Sequence, residues 1–136
     1  MARTTDLLGD WWTPIVLREL LLGVGRFNDI RSHTGISRAV LSQRLQRLES
    51  DGVVERHRYE ERPPRDEYRL TEKGRALWDV IAAMWQFGDD WMYTERPGAQ
   101  VELVDRRTGE PVRVCVVDEQ TGEPIEPDQT RVRLRR

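Results

Sequence analysis

A mainly α fold, a winged helix-turn-helix with a small C-terminal β-hairpin appendage, is predicted by three features of these 136 residues. Two helical patterns flank a Gly-containing break at Thr34-Gly35-Ile36. A strand–turn–strand pattern around Pro63-Pro64 follows the second helix directly. Beyond Pro97-Gly98 the helical periodicity stops and a short motif repeats. The expected division is residues 1–97, a winged-helix domain, and residues 98–136, a β-rich appendage ending in a basic tail.

Residues 6–23 carry helix punctuation. Thr13 is placed as the N-cap, Pro14 as the first helical residue and Gly23 as the stop. Trp12, Ile15, Val16, Glu19 and Leu20 recur at helical spacing, and their apolar members form a core stripe. A short segment, Arg26 to His33, follows, with Phe27 and Ile30 three apart. Ser37 then caps a helix running to about Asp51, closed by Gly52. On it Leu41, Leu45 and Leu48 fall within about 60° of one another, one narrow apolar face. Ala39, Ser42, Gln43, Gln46 and Arg47 lie on the remainder, with Ser37 and Arg38 at its start. No acidic residue interrupts that surface before Glu49 and Asp51 in the last turn. It reads either as an ordinary solvated face or as a surface for the major groove, where Gln matches adenine and Arg matches guanine.

Val53 to Tyr59 reads as a strand, Glu60 to Arg65 as the turn and Asp66 to Leu70 as the return. A hairpin placed there is a wing. Arg56, Arg58, Arg62, Arg65 and Arg69 are spaced to follow a phosphate backbone, although Glu60, Glu61, Asp66 and Glu67 offset them. His57 reads as a sheet-face residue. Thr71 is then expected to cap one long helix, Glu72 to about Tyr93. Its apolar residues cover far more than the stripe a single core requires. Leu77, Val80, Ile81, Met84, Trp85, Gly88 and Trp91, joined by Leu7 and Leu8, are therefore expected to form a two-fold dimer interface. The alternatives are packing against the N-terminal helix and a ligand pocket among Trp78, Trp85 and Trp91.

Composition excludes several classes. Basic and acidic residues number 22 and 24, a net charge of −2, which argues against a polybasic binder. Placement matters more than the total: residues 31–58 hold six basic and three acidic side chains, net +3. All basic residues but Lys73 are Arg. The longest apolar runs are far short of the roughly 20 residues of a membrane helix. One cysteine, Cys115, and two histidines, His33 and His57, form no metal-ligand pattern, and no catalytic constellation or phosphate loop is visible. The expectation is a cytoplasmic protein that is not an enzyme and uses no cofactor or metal.

The segments LLGDWWTPIVLRELLLGVGRFNDI, GISRAVLSQRLQRLESDGVVER and YEERPPRDEYRLTEKG, followed by a Trp-rich helix, resemble the HxlR-type winged-helix transcriptional regulators, relatives of the MarR group. The resemblance covers about residues 5–92, in order and with the family spacing. It implies a homodimeric bacterial DNA-binding regulator with its recognition helix at Ser37–Asp51, its wing at Val53–Leu70 and its dimer interface in the terminal helices. Family members often carry a cysteine shortly before the Leu-Gly-x-x-Trp segment, and some use it to sense oxidants. Here Met1-Ala2-Arg3-Thr4-Thr5 precedes that segment without one, so either the start lies further upstream or this member does not use that switch. Cys115, in the apolar run Val112–Val117, reads as a small buried hydrophobe.

In the appendage Val104-Asp-Arg-Arg-Thr-Gly-Glu-Pro-Val112 recurs as Val117-Asp-Glu-Gln-Thr-Gly-Glu-Pro-Ile125. Each copy reads as a hairpin whose Asp opens a tight turn and whose Gly closes it. The Asp-x-x-Thr-Gly spacing resembles a zinc-ribbon knuckle with both thiolates replaced. The two readings are a ribbon that has lost its metal and a pair of unrelated hairpins.

The expected function is sequence-specific double-stranded DNA binding at a pseudo-palindromic operator by a homodimer. Ser42, Gln43, Gln46 and Arg47 are candidates for base edges. Arg18, Arg31, Arg38, Arg44 and the wing arginines are candidates for phosphate. The competing expectations are a protein-interaction module without duplex binding and a small-molecule sensor; an acidic or apolar recognition face would favour the first of these.

Overall fold

A computed structural model describes residues 1–92 and 102–134. The chain forms two compact units, Met1–Ile81 and Ala82–Arg136. The composition break at Pro97-Gly98 lies outside the described residues.

In the first unit, helices α1 (Ala2–Leu8), α2 (Trp12–Leu21), α3 (Phe27–Thr34) and α4 (Arg38–Ser50) precede the hairpin β1 (Val54–Glu61) and β2 (Pro64–Leu70). Helix α5 (Glu72–Arg75) and the start of α6 (Trp78–Trp91) complete it. Val16, Leu17 and Leu20 of α2, Ile30 of α3, and Leu41, Leu45 and Leu48 of α4 make one core with Ile36, Val53, Val54 and Ile81. Burying these side chains at about 1.5–3 kcal/mol each is the main force holding the helices together. The three leucines of α4 all face inward, as their spacing predicts.

The helix ends follow local chemistry. Gly23 and Gly52 adopt positive φ and close α2 and α4 with paired bonds: Val24 N–H to Glu19 and Gly23 N–H to Leu20, then Val53 N–H to Leu48 and Gly52 N–H to Glu49. Ser37 caps α4, its Oγ accepting from Val40 N–H at 3.2 Å. The start of α2 differs from the expectation. Asp10, not Thr13, is the capping side chain, accepting from Trp12 N–H and Thr13 N–H at 2.9 Å each. Thr13 is buried inside the helix with its hydroxyl turned back onto Asp10. A carboxylate placed before an exposed N-terminal turn accepts two otherwise unpaired donors at once, which a hydroxyl one turn later does not. The unanticipated α1 is a separate helix that packs Leu7 and Leu8 against the core.

The hairpin turn is tighter than expected. Glu61 pairs with Pro64, so only Arg62 and Pro63 form the connection, and a bulge at Tyr59 keeps the register. The long helix is broken. Leu77 N–H bonds the carbonyl of Gly74, three residues back, and α6 starts only at Trp78. The cause is the grip on α5: Thr71 Oγ1 donates to Gly52 O, Lys73 Nζ to Asp51 O and Arg75 Nη1 to Leu70 O. Gly74 is pressed so close to β1 that a Cβ there would run into the Val53 carbonyl oxygen. The expected end at Tyr93 lies outside the described residues.

The second unit holds most of α6 and both repeats. In each repeat the opening Asp accepts from backbone N–H groups two and three residues on, and the Thr hydroxyl accepts from the following Glu. Gly109 and Gly122 close the turns at φ of 75° and 72°. Hydrogen bonds from Thr121 and Gln120 N–H hold the Asp118 carboxyl below its ordinary pKa, against the small opposing effect of burial. The expected hairpin strands are reduced to single antiparallel bridges, Val104 with Pro111 and Val117 with Pro124. Proline has no N–H to extend either ladder. Cys115, expected to be buried, is exposed. Gln86 of α6 exchanges hydrogen bonds with the backbone of Val114, and Asp90 pairs with Arg113. These contacts make the distal part of α6 one unit with the repeats. Among the described residues no helix is long and apolar enough to cross a membrane, and no cluster of His, Cys, Asp and Glu is arranged to hold a metal ion.

Candidate nucleic-acid interface

The positively charged window of the sequence becomes one surface because α4 packs against α2, α3 and β1. With its leucines committed to the core, α4 exposes Ser37, Arg38, Ala39, Ser42, Gln43, Gln46 and Arg47. These residues do not all have the same freedom. Arg47 Nη2 donates to the Asp6 carbonyl of α1 at 2.6 Å, and Arg47 Nε lies 3.8 Å from Asp51. Arg44, half-buried, places Nε 3.2 Å from Asp10. At the other border the Arg38 guanidinium stacks over Phe27, its carbon 5.4 Å from the ring centre. Arg56 lies 3.6 Å from Glu49 and 5.4 Å from the Tyr68 ring centre. Between these borders Ser42, Gln43 and Gln46 have no hydrogen-bond partner among the described residues. They form a strip of amides and a hydroxyl suited to reading donors and acceptors.

The wing is more neutral than its arginines suggest. Arg58 sits opposite Asp66 in the register and donates to it at 3.0 Å. That bond raises the Arg58 pKa and lowers that of Asp66. Arg65 sits opposite Glu60 and pairs with it at 3.3 Å, and Arg69 bonds Glu67. Arg62, at the turn, is exposed and has no ion-pair partner among the described residues. It is the cation the wing presents outright. Of the other phosphate candidates, Arg18 pairs with the buried Glu19, which also meets His33, and Arg31 keeps a buried Nε without a partner.

Asp10 is the residue sequence reading missed. It caps α2 and faces Arg44 on α4, and so ties the orientation of α4 to that of α2. The signal is a capping-type residue two positions before Trp12, but Thr13, three positions further on, is of the same type and competes with it. Burial alone would raise the Asp10 pKa. The Thr13 hydroxyl, the Thr13 and Trp12 N–H groups and Arg44 outweigh it, and the net shift is downward. A carboxylate with a lowered folded-state pKa stabilises the fold above its unfolded value and loses that contribution as pH falls through the folded value. Asp10→Asn is therefore expected to cost stability near neutral pH, with the deficit shrinking below about pH 4. Urea titrations of both proteins across that range check this; a constant deficit down to the acid limit would remove the charge from the explanation.

The residues expected at a dimer interface separate into two sets. Leu7, Leu8 and Leu77 pack against the core of the first unit, and Ile81, 4% exposed, is part of that core. The burial of Ile81 corrects its assignment to a partner-facing surface, because its contacts are already filled within the chain. Val80, Met84 and Trp91 are exposed along α6, Trp91 at 72%, while Trp85 and Gly88 are half-buried. Trp78 borders a groove of about 780 Å³ with Leu20, Tyr68, Leu70 and Arg75.

The family model for HxlR-like helix-turn-helix proteins matches residues 7–96. Rv3095 of Mycobacterium tuberculosis, named as an HTH-type transcriptional regulator, is 40% identical over 111 residues, covering 81% of this chain and 69% of that protein. Among solved structures, PA1607, described as a candidate transcription factor, superposes with a TM-score of 0.85 at 34% identity, covering 97% of this chain and 92% of its own. PA1374 from Pseudomonas aeruginosa, described likewise, gives a TM-score of 0.69 at 31% identity, with coverages of 98% and 90%. The helix-turn-helix, the wing and these matches agree, and the chain belongs to the HxlR-like helix-turn-helix family.

Proposed function

We propose that this chain is a sequence-specific, double-stranded DNA-binding transcriptional regulator that acts as a homodimer, with α4 in the major groove and the hairpin on the flanking backbone. The observation that carries the reading is the exposed strip Ser42, Gln43 and Gln46, free of acidic residues and bordered by arginines held at fixed positions. A protein-binding face of the usual kind would be apolar at its centre. Family membership and the regulator names of the relatives support the same reading. In this account the amide strip reads base edges while Ser37, Arg38 and the wing arginines Arg58, Arg62 and Arg65 set the register on phosphate.

The exposed line of Val80, Met84 and Trp91 on α6 supports the two-fold partner. Two copies of α4 related by that axis would enter grooves about one helical turn apart. Selection of bound duplexes from a random pool at stated salt tests both parts of the proposal. The expected product is a pseudo-palindrome with half-sites about ten base pairs apart. Enrichment of no sequence would overturn it.

Arg62→Ala separates the wing from the helix. Removing a phosphate contact is expected to weaken selected and random duplexes alike and to reduce the salt slope by about one unit per contact. Fluorescence anisotropy over a series of salt concentrations gives both quantities. A loss confined to the selected sequence would place Arg62 on a base instead.

A further inference from the structure

We propose that the basic segment Arg131–Arg136 of one copy docks in an acidic groove on the second unit of another copy, so that the two chains exchange segments. Charge is the first argument. Residues 82–130 carry eleven acidic and four basic side chains, net −7, whereas residues 131–136 carry four arginines and no acid, net +4. The pattern within the segment is the second. Arg131, Arg133 and Arg135 alternate with Val132 and Leu134, so an extended backbone puts arginines on one side and apolar side chains on the other. Phosphate satisfies only the first of these sides. A protein groove with carboxylates beside apolar walls satisfies both.

Such a groove, about 490 Å³, lies in the second unit. Trp85 of α6 with Leu103 and Val112 supplies apolar wall, and Asp89, Asp90 and Glu102 supply carboxylates. Asp90 is already bonded to Arg113, whereas Asp89 and Glu102 have no ion-pair partner among the described residues. The segment does not fill this groove in its own chain: Val132 and Leu134 are 99% and 92% exposed. Its direction of exit is set just before it. The 3-10 turn Pro127–Gln129 is capped at its start by Gln129, whose Oε1 accepts from Glu126 N–H at 2.8 Å, and Thr130 Oγ1 donates to Pro127 O at 2.8 Å. Thr130 leaves that turn in an extended conformation, and Val132 and Leu134 beyond it lie in solvent. A second copy supplies the missing surface by symmetry, because each chain carries both groove and segment.

Sedimentation equilibrium of the full chain, without DNA, tests the proposal independently of the DNA-binding reading. Val132→Asp combined with Leu134→Asp is expected to weaken self-association by about 100-fold or more, the least expected for losing two buried apolar side chains. Asp89→Arg with Glu102→Arg should weaken it too. A mixture of that chain with one carrying Arg131→Glu and Arg133→Glu should associate more tightly than either alone, since both combinations of segment and groove in the mixed pair then join opposite charges. Trp91→Ser tests the α6 contact separately, so failure of one dimer contact is distinguishable from failure of the other. Unchanged self-association of the Val132/Leu134 variant overturns the proposal, as does a mixture that shows no gain. A variant that self-associates normally but loses affinity for duplex would assign the segment to phosphate and overturn it equally.

Discussion

Gln43→Ala is expected to reduce the preference for the selected operator over random duplex by about 1–3 kcal/mol per half-site, roughly 5- to 150-fold. Gln43 lies at the middle of the strip between the two anchored borders of α4, with no hydrogen-bond partner among the described residues. Nothing in the fold depends on it, so truncation removes recognition and leaves the helix intact. Both half-sites lose the contact in a homodimer, and the operator preference falls by the sum. Binding to random duplex, which rests on phosphate, should stay within twofold with an unchanged salt slope. Competition anisotropy against selected and random sequences measures the ratio. Equal losses on both duplexes would move base reading away from Gln43, with Gln46 and Ser42 the next positions to truncate.

Leu45→Ala should do the reverse. Leu45 is fully buried where α4 meets the rest of the core, and truncation leaves a cavity among Leu41, Leu48 and their neighbours. A loss of about 2–5 kcal/mol is expected, a large share of the stability of a domain this size. Affinity for every duplex should then fall in proportion to the unfolded fraction, while the ratio of operator to random binding by the folded molecules is kept. Urea denaturation followed by tryptophan fluorescence gives the stability, and anisotropy at low and high temperature gives the ratio. A midpoint within experimental error of the unaltered chain would show that the core collapses around the gap. The pair of variants separates a residue that reads DNA from one that presents the reader.

Periodicity was enough to place the site wherever local chemistry and packing agree. The leucine spacing on α4 determines which side chains turn outward, so Ala39, Ser42, Gln43 and Gln46 were legible before any contact was known. Ser37, Gly23 and Gly52 act within a few residues of themselves, and their roles were legible for the same reason. Their effects are local, and local effects are written in short stretches of sequence.

Features that depend on distant parts of the chain were not. The break between α5 and α6 goes with the grip on α5 from residues 51–53, through Thr71 to Gly52, Lys73 to Asp51 and the close approach of Gly74 to Val53, contacts that no window around Gly74 contains. Arg47 reads as a groove residue on the helix itself, yet it bonds the carbonyl of Asp6, and Arg44 is drawn to Asp10 in the same way. The wing carboxylates are visible in sequence, but which of them meets which arginine is set by the strand register, Arg58 with Asp66 and Arg65 with Glu60. Ile81 belongs to an apolar stripe whose members cannot be told apart until one of them is claimed by the core. The sequence by itself determined which face of α4 is polar, which faces are apolar and where the chain turns, because these are properties of neighbouring residues. Tertiary structure decided which arginines are free, which apolar residues stay exposed, and what holds α4 in place. Each of those is settled by an atom supplied from elsewhere in the chain.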